Sequence, residues 1–221
     1  MLAATVFDLD ETLADSAGAW NRVLGAVAAR HGHAWTNRDW AAIQGTSTGY
    51  WGAYLAGRCP DLTPEDAVAG CVDGMVAEIG RGGCGPLPGA ARLVATAAGL
   101  GRVGLASASP RRYVEAAATA FGFTPWLDAL VTGEDVSRGK PAPDPYLLAA
   151  RRLGVAPARC VAVEDSGSGI RSAHAAGMVV LAVPNAATAL DLDVLRLADH
   201  QAADTHIAAK TLSSLAWRAV V

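Results

Sequence analysis

Two carboxylates set two residues apart, Asp8 and Asp10, close an apolar run in Thr5-Val6-Phe7-Asp8-Leu9-Asp10-Glu11-Thr12-Leu13-Ala14-Asp15-Ser16. A carboxylate at the carboxyl end of a short buried strand lies where open α/β sheets bind their ligands. Asp8 in that place is suited to act as a nucleophile and carry a phosphoryl group as an aspartyl-phosphate. Asp10, close to it but electrically distinct, is suited to protonate a leaving group and then to take a proton from water. Far along the chain Glu164 and Asp165 close another apolar run, Cys160-Val161-Ala162-Val163. Two acid-tipped strands converging on one site would hold a hard cation, Mg²⁺, with phosphate oxygens and water completing its shell. Each pair taken alone is also what a helix cap looks like.

Other groups complete the expected chemistry. Ser107 follows a predicted strand, and its hydroxyl and the backbone N–H groups after it would hold phosphoryl oxygens, or simply cap the next helix. Lys140, one of two lysines in the chain, sits in Gly139-Lys140-Pro141-Ala142-Pro143-Asp144. An ammonium there would neutralise the nucleophile and the group being transferred. Ser109 and Arg111 near the next helix start, and Gln44 and Thr46 in the polar stretch Gln44-Gly45-Thr46-Ser47, are the expected substrate contacts.

The elements that must position these groups follow from periodicity and punctuation. Strands are expected at 3–8, 102–106, 127–132, 159–163 and 179–183, near-continuously apolar and separated by helices. That pattern indicates a parallel sheet covered on both faces. Residues 15–85 contain no convincing buried strands. They read as helices from about Asp15 or Ser16 onward, then at 38–43, 48–56 and 64–79. Thr63-Pro64-Glu65-Asp66 starts the last of these, with Pro in the first turn and acids at the positive end. Helices are expected as well at 89–99, 110–121, 143–153, 169–176, 190–197 and 212–217. The expected organisation is therefore an α/β core, residues 1–14 and 86–221, with a small helical cap, residues 15–85, inserted after the first strand. The tryptophans concentrated in the insert would mostly pack its own core, with one or two lining a substrate pocket.

Composition bounds the partners. The 221 residues are 52% hydrophobic and 18% charged, enough for a sizeable core and against global disorder. A net charge of −3 with no basic run speaks against nucleic acid. No run reaches the roughly 18 apolar residues expected of a membrane span. The four cysteines, Cys59, Cys71, Cys84 and Cys160, form no Cys-x-x-Cys pair. A reduced, cytoplasmic protein is expected, monomeric or homodimeric; a small phosphorylated metabolite as partner would need only one or two local positive groups.

Together, Phe7-Asp8-Leu9-Asp10-Glu11-Thr12-Leu13, Leu105-Ala106-Ser107-Ala108-Ser109, Gly139-Lys140-Pro141, and Val163-Glu164-Asp165-Ser166 leading to Gly169-Ile170 resemble the motifs of the haloacid dehalogenase superfamily. The order matches, and the resemblance spans nearly the whole chain. The subgroup it most resembles holds the phosphoglycolate phosphatase and β-phosphoglucomutase-like enzymes. The resemblance implies a Rossmann-like core with a helical cap. It makes Asp8 the nucleophile, Asp10 the general acid/base, Ser107 the phosphoryl contact and Lys140 its stabiliser. Mg²⁺ would be held by Asp8, the Asp10 carbonyl and Asp165, with Glu164 assisting. The second acid, Asp10, favours phosphoryl transfer over dehalogenation. A phosphonate-cleaving member would need a cap lysine, and this chain has none before Lys140.

The implied activity is hydrolysis of a phosphate monoester such as a sugar phosphate or phosphoglycolate, with a β-phosphoglucomutase-like sugar phosphomutase as the alternative. Trp20 occupies the place where mutases carry a cap histidine, which weakens that alternative. Glu11 replaces the usual glycine, and an acid there would either perturb neighbouring pKa values or cap the next segment.

Overall fold

The computed structural model describes residues 1–185, 188 and 190–217; residues 218–221, which end the expected 86–221 segment, lie outside the described residues, as do 186, 187 and 189 within it. The first apolar run forms β1 (Ala4–Phe7), buried throughout. A two-residue strand β2 (Ala14–Asp15) leads into four helices, α1 (Ala17–Arg30), α2 (Asn37–Ile43), α3 (Thr48–Ala56) and α4 (Pro64–Gly80). The chain returns through β3 (Gly85–Pro86), which pairs antiparallel with β2. Next come α5 (Ala90–Leu100), β4 (Arg102–Ala106), α6 (Arg111–Ala120), β5 (Ala129–Val131) and α7 (Asp144–Leu153). The last segment carries β6 (Cys160–Glu164), α8 (Gly167–Ala175), β7 (Val179–Ala182), α9 (Leu192–Leu195), β8 (His200–Gln201) and α10 (Thr205–Ser214). Among the described residues no helix is long and apolar enough to cross a membrane.

Six strands make one parallel sheet in the order β5-β4-β1-β6-β7-β8. From β1 the chain moves to one side through β4 and β5, then crosses back to β6 on the other. A crevice therefore opens beyond the carboxyl end of β1. Register places Phe7 beside Leu105 on β4 and Val163 on β6. The residues that follow, Asp8, Ser107 and the Glu164–Asp165 pair, are thereby delivered to one edge.

Alternate side chains go to opposite faces of the sheet. Phe7, Val103, Leu105, Val161 and Val163 pack with Leu93 and Val94 of α5 and Leu212 of α10. Ala4, Val6, Ala106 and Ala162 pack with Tyr146 and Leu153 of α7 and Ile170 of α8. Both faces are apolar, so each central strand reads as a continuous apolar run rather than an alternation. Burial of each such large side chain contributes about 1.5–3 kcal/mol.

The inserted helices form where their caps and apolar stripes dictate. Thr36, Ser47 and Thr63 accept hydrogen bonds from the N–H groups of Asp39, Tyr50 and Asp66, and Pro64 occupies the first turn of α4. Gly74 lets α4 approach α1 closely, since a Cβ there would overlap the Val23 methyls.

The C-terminal region departs from expectation. A helix over 212–217 is expected, but α10 ends at Ser214, after a start capped by Asp204 on the Ile207 N–H. Residues 215–217 instead run beside the start of the chain, with the Leu2 N–H donating to the Ala216 carbonyl (2.9 Å) and Trp217 bridging to Leu2. The indole N–H of Trp217 closes the helix end by donating to the Leu212 carbonyl (2.7 Å). Pairing with the N-terminus satisfies backbone groups that a further helical turn would otherwise have to satisfy. The 190–197 stretch forms a helix only over Leu192–Leu195.

Candidate active site

Lys140 stands at the centre of the site. Its Nζ lies 2.6 Å from Asp8 Oδ1 and also pairs with Glu164 Oε1. Glu164, wholly buried, accepts from the Tyr146 hydroxyl on the same oxygen (2.8 Å), and from the N–H and hydroxyl of Ser166 on the other (3.3 and 3.1 Å). Gly169 makes this possible: a Cβ there would occupy the space of the Glu164 carboxylate. Asp165 accepts from the Thr12 hydroxyl (2.9 Å). Asp8 itself is fixed by its N–H, which donates to the Val163 carbonyl (3.0 Å).

Carboxylate oxygens of Asp8, Glu164 and Asp165 lie within 4.8 Å of one another, and all three residues are buried. Burial pushes the Asp8 carboxyl up to about 7; Lys140 opposes the shift, and Glu164 and Asp10 add to it. Burial, then the charges of Asp8 and Glu164, hold Asp165 well above the usual carboxylate range. Burial works against the Lys140 charge, but Asp8 and Glu164 outweigh it and hold that pKa above the ordinary lysine value. Three crowded acids with one ammonium between them remain short of positive charge. A compact, oxygen-preferring dication such as Mg²⁺ fits that donor set. Both Glu164 oxygens are already engaged, so the oxygens open to such an ion belong to Asp8 and Asp165.

Asp10 occupies a different environment. Its Oδ1 accepts from the Ser16 hydroxyl (2.8 Å), the Tyr113 hydroxyl (2.8 Å) and the Trp20 indole N–H (3.1 Å). Its Oδ2 accepts from the Ser109 hydroxyl (2.7 Å). These donors come from the entry to α1, from α1 itself, from α6 and from the turn after β4, so the insert and the sheet meet on this one carboxylate.

The role left open for Glu11 is resolved in favour of capping. Its carboxylate accepts from the N–H groups of Ser16 (2.9 Å) and Ala17 (2.7 Å), the first donors of α1. Ser16 stands at the cap position without capping, because its hydroxyl is directed to Asp10. Glu11 has φ of 62°, the left-handed conformation that favours glycine. Burial also raises its own carboxyl pKa.

A cavity of about 590 Å³ opens above these groups, between the sheet edge and the inserted helices. Asp8, Asp10, Lys140, Asp165, Ser109, Gln44 and Thr46 all line it. Two expected contacts are placed otherwise. Ser107 is buried below the wall, and its hydroxyl accepts the Ser109 N–H (3.1 Å), so Ala108 and Ser109 are what reach the cavity. Arg111 is not among the lining residues: it pairs with Asp135 (2.6 Å) and Glu115 (3.4 Å), which draw its guanidinium elsewhere.

Of the insert's tryptophans, Trp20, Trp40 and Trp51 line the cavity, whereas Trp35 turns its indole N–H to Asn21 (2.9 Å). Sequence reasoning passed over Thr12, Tyr113 and Tyr146 as partners of the acids. Thr12 falls within the first motif, and its position was the available signal. The two tyrosines sit on ordinary buried helix stripes, which carry no such signal.

A family model described as haloacid dehalogenase-like hydrolase matches residues 2–177. Protein CbbY of Rhodobacter capsulatus is 33% identical over 231 residues, covering 99% of this chain and 97% of that protein. Hexitol phosphatase A of Escherichia coli is 37% identical over 186 residues, covering 80% of this chain and 81% of the other. The crystal structure of a CbbY mutant from Rhodobacter sphaeroides in complex with xylulose-(1,5)bisphosphate superposes with a TM-score of 0.82 at 28% identity, covering 93% of this chain and 95% of that one. The sheet, the acid-lined edge and these similarities agree: the chain belongs to the haloacid dehalogenase-like hydrolase family and is an enzyme of its phosphatase type.

Proposed function

We propose that the protein is a Mg²⁺-dependent phosphatase that hydrolyses a small sugar-type phosphate monoester through an aspartyl-phosphate on Asp8. The observation that carries this reading is the split between the two neighbouring acids. Asp8 is held by Lys140 inside the buried acid cluster, while Asp10 is held apart by hydroxyl and indole donors. One acid is thus placed to attack and the other to move protons.

An Asp8 carboxylate oxygen attacks phosphorus, forming an O–P bond as the bond to the alcohol oxygen breaks, and Asp10 gives that oxygen its proton. Water then attacks phosphorus with Asp10 taking its proton, which frees phosphate and restores Asp8. Lys140 offsets negative charge on Asp8 and the phosphoryl oxygens. The turn after β4 would supply the remaining donors for those oxygens, with the Ser109 hydroxyl spent on Asp10 and its N–H on Ser107. Mg²⁺ bound by Asp8 and Asp165 would supply further charge neutralisation, with Glu164 fixing Lys140. Residues 15–85 serve as a cap, hinged on the β2–β3 ribbon, that closes over the cavity and excludes bulk water.

Hydrolysis is favoured over mutase chemistry by Trp20, because an indole N–H only donates and cannot carry a proton between two sugar hydroxyls. The test is phosphate release from a panel of sugar phosphates, with Mg²⁺ and after chelation. Release that depends on Mg²⁺ is expected. Conversion of β-glucose 1-phosphate to glucose 6-phosphate with little free phosphate would contradict the reading.

A further inference from the structure

The walls of the cavity restrict what the departing alcohol can be. Its upper side is formed by Trp20, Leu24, Trp40, Ile43 and Trp51, with the Trp20 and Trp51 rings tilted together at 5.8 Å between centroids. Among the described lining residues the cation is Lys140, its side chain 5% exposed and already paired with Asp8 and Glu164. Four carboxylates, those of Asp8, Asp10, Glu11 and Asp165, face the same space. No arginine is among the described lining residues, and Arg22, Arg58, Arg112 and Arg111 pair with Glu78, Asp39, Asp73 and Asp135. A second phosphate or a carboxylate at the alcohol end of the substrate would meet indole and aliphatic walls with no counter-ion. An indole-walled chamber instead suits the C–H face of a hydroxylated ring. Gln44 offers a carboxamide for a hydroxyl, whereas Thr46 spends its own hydroxyl proton on the Ile43 carbonyl (2.7 Å).

We infer that the substrate is the monophosphate of an uncharged, ring-sized polyol, and that bisphosphates and carboxylate-bearing phosphates such as phosphoglycolate are selected against. The inference rests on the phosphatase reading for the phosphate end of the cavity and concerns only the alcohol end.

The experiment compares kcat/KM for fructose 1-phosphate, fructose 1,6-bisphosphate and phosphoglycolate in the wild-type enzyme with Mg²⁺. In parallel, calorimetry measures binding of the three compounds to the Asp8→Asn protein. The monophosphate is expected to lead both other compounds by at least about tenfold in kcat/KM, matching a tenfold step in transition-state binding, and to bind most tightly to Asp8→Asn. Gln44→Arg, an exposed substitution that places a cation in the chamber, is expected to narrow the gap to the bisphosphate.

A smaller or reversed ratio, together with tighter binding of the bisphosphate or phosphoglycolate, would overturn the inference while leaving the phosphatase reading intact. Absence of phosphate release from all three compounds, with the monophosphate still bound best, would overturn the phosphatase reading and leave the alcohol-end assignment standing.

Discussion

The floor and the roof of the cavity are built by opposite means. The floor consists of charged groups at the carboxyl edge of a parallel sheet: Asp8, Glu164 and Asp165, placed by strand register, and Lys140, brought in from the segment between β5 and α7 and locked to Asp8 and Glu164 by hydrogen bonds. The roof consists of aromatic and aliphatic side chains from α1, α2 and α3, placed by helix packing. A floor of this kind tolerates little displacement, since three acids share one ammonium and each is held by particular hydrogen-bond partners. A roof of packed apolar groups can change shape without disturbing the charges below it. The same reaction can then be kept on the floor while the roof selects the alcohol.

The largest effect should come from breaking the floor. Lys140→Met leaves three buried carboxylates without their ammonium. Phosphate release should fall by about a thousandfold or more, because a preorganised charge is lost where negative charge must be held. Circular dichroism would separate that loss from unfolding.

Asp10→Asn should follow, with kcat down by about a hundredfold to ten-thousandfold, the usual range for a lost acid/base group. Steady-state kinetics at saturating substrate would check it.

Trp20 belongs to both regions, its ring in the roof and its N–H on Asp10. Trp20→Phe keeps an aromatic ring and removes that donor. A fall in kcat of about tenfold is expected, equivalent to roughly one hydrogen bond to a charged acceptor. An unchanged kcat would mean that the roof does not reach into the chemistry.

The smallest effect on turnover should come from Asp39, which ties the roof together away from the floor. Its carboxylate accepts from the Thr36 N–H (2.9 Å), the Tyr54 hydroxyl (3.0 Å) and Arg58 Nε (2.6 Å), joining α2 to α3. Hydrogen bonding from the Thr36 side chain, outweighing burial and aided by Arg58 and Tyr54, holds its pKa well below the usual aspartate range. A depressed carboxyl stabilises the fold fully above the unfolded-state value of about 4, and that stability is lost as pH falls below it. Asp39→Asn should therefore cost about 1–3 kcal/mol at neutral pH and flatten the decline in stability below about pH 4. Urea denaturation across that range would measure both.

The same division explains how much could be read in advance. The floor was legible because its residues end apolar runs: Asp8 after Phe7, and Glu164 and Asp165 after Val163. Lys140 was legible only through its place in the family pattern; scarcity and proline-stiffened surroundings alone fit a solvent-facing loop lysine equally well. The partners of these groups were not legible. Nothing in the sequence tells Tyr113 and Tyr146, on buried helix faces, from any other core tyrosine; only the folded chain shows their hydroxyls on Asp10 and Glu164.

Arg111 was misplaced because position near a helix start cannot register the pull of Asp135, twenty-four residues away. The C-terminal helix was shifted because apolar spacing in Leu212, Leu215 and Trp217 fits a helix as well as it fits a segment packed beside Leu2. The parallel sheet was readable from buried strands alone, but its edge pairing of β7 with β8 and the separate antiparallel ribbon of β2 with β3 are each only two residue pairs long and leave no periodic trace.

The most direct measurement of the central claim is a rapid acid quench of the working enzyme on a substrate carrying radiolabelled phosphate, followed by peptide mapping. The account predicts hydroxylamine-labile label on the peptide that contains Asp8, and none in Asp8→Asn protein. Phosphate released at the wild-type rate by Asp8→Asn, or label confined to another residue, would contradict it.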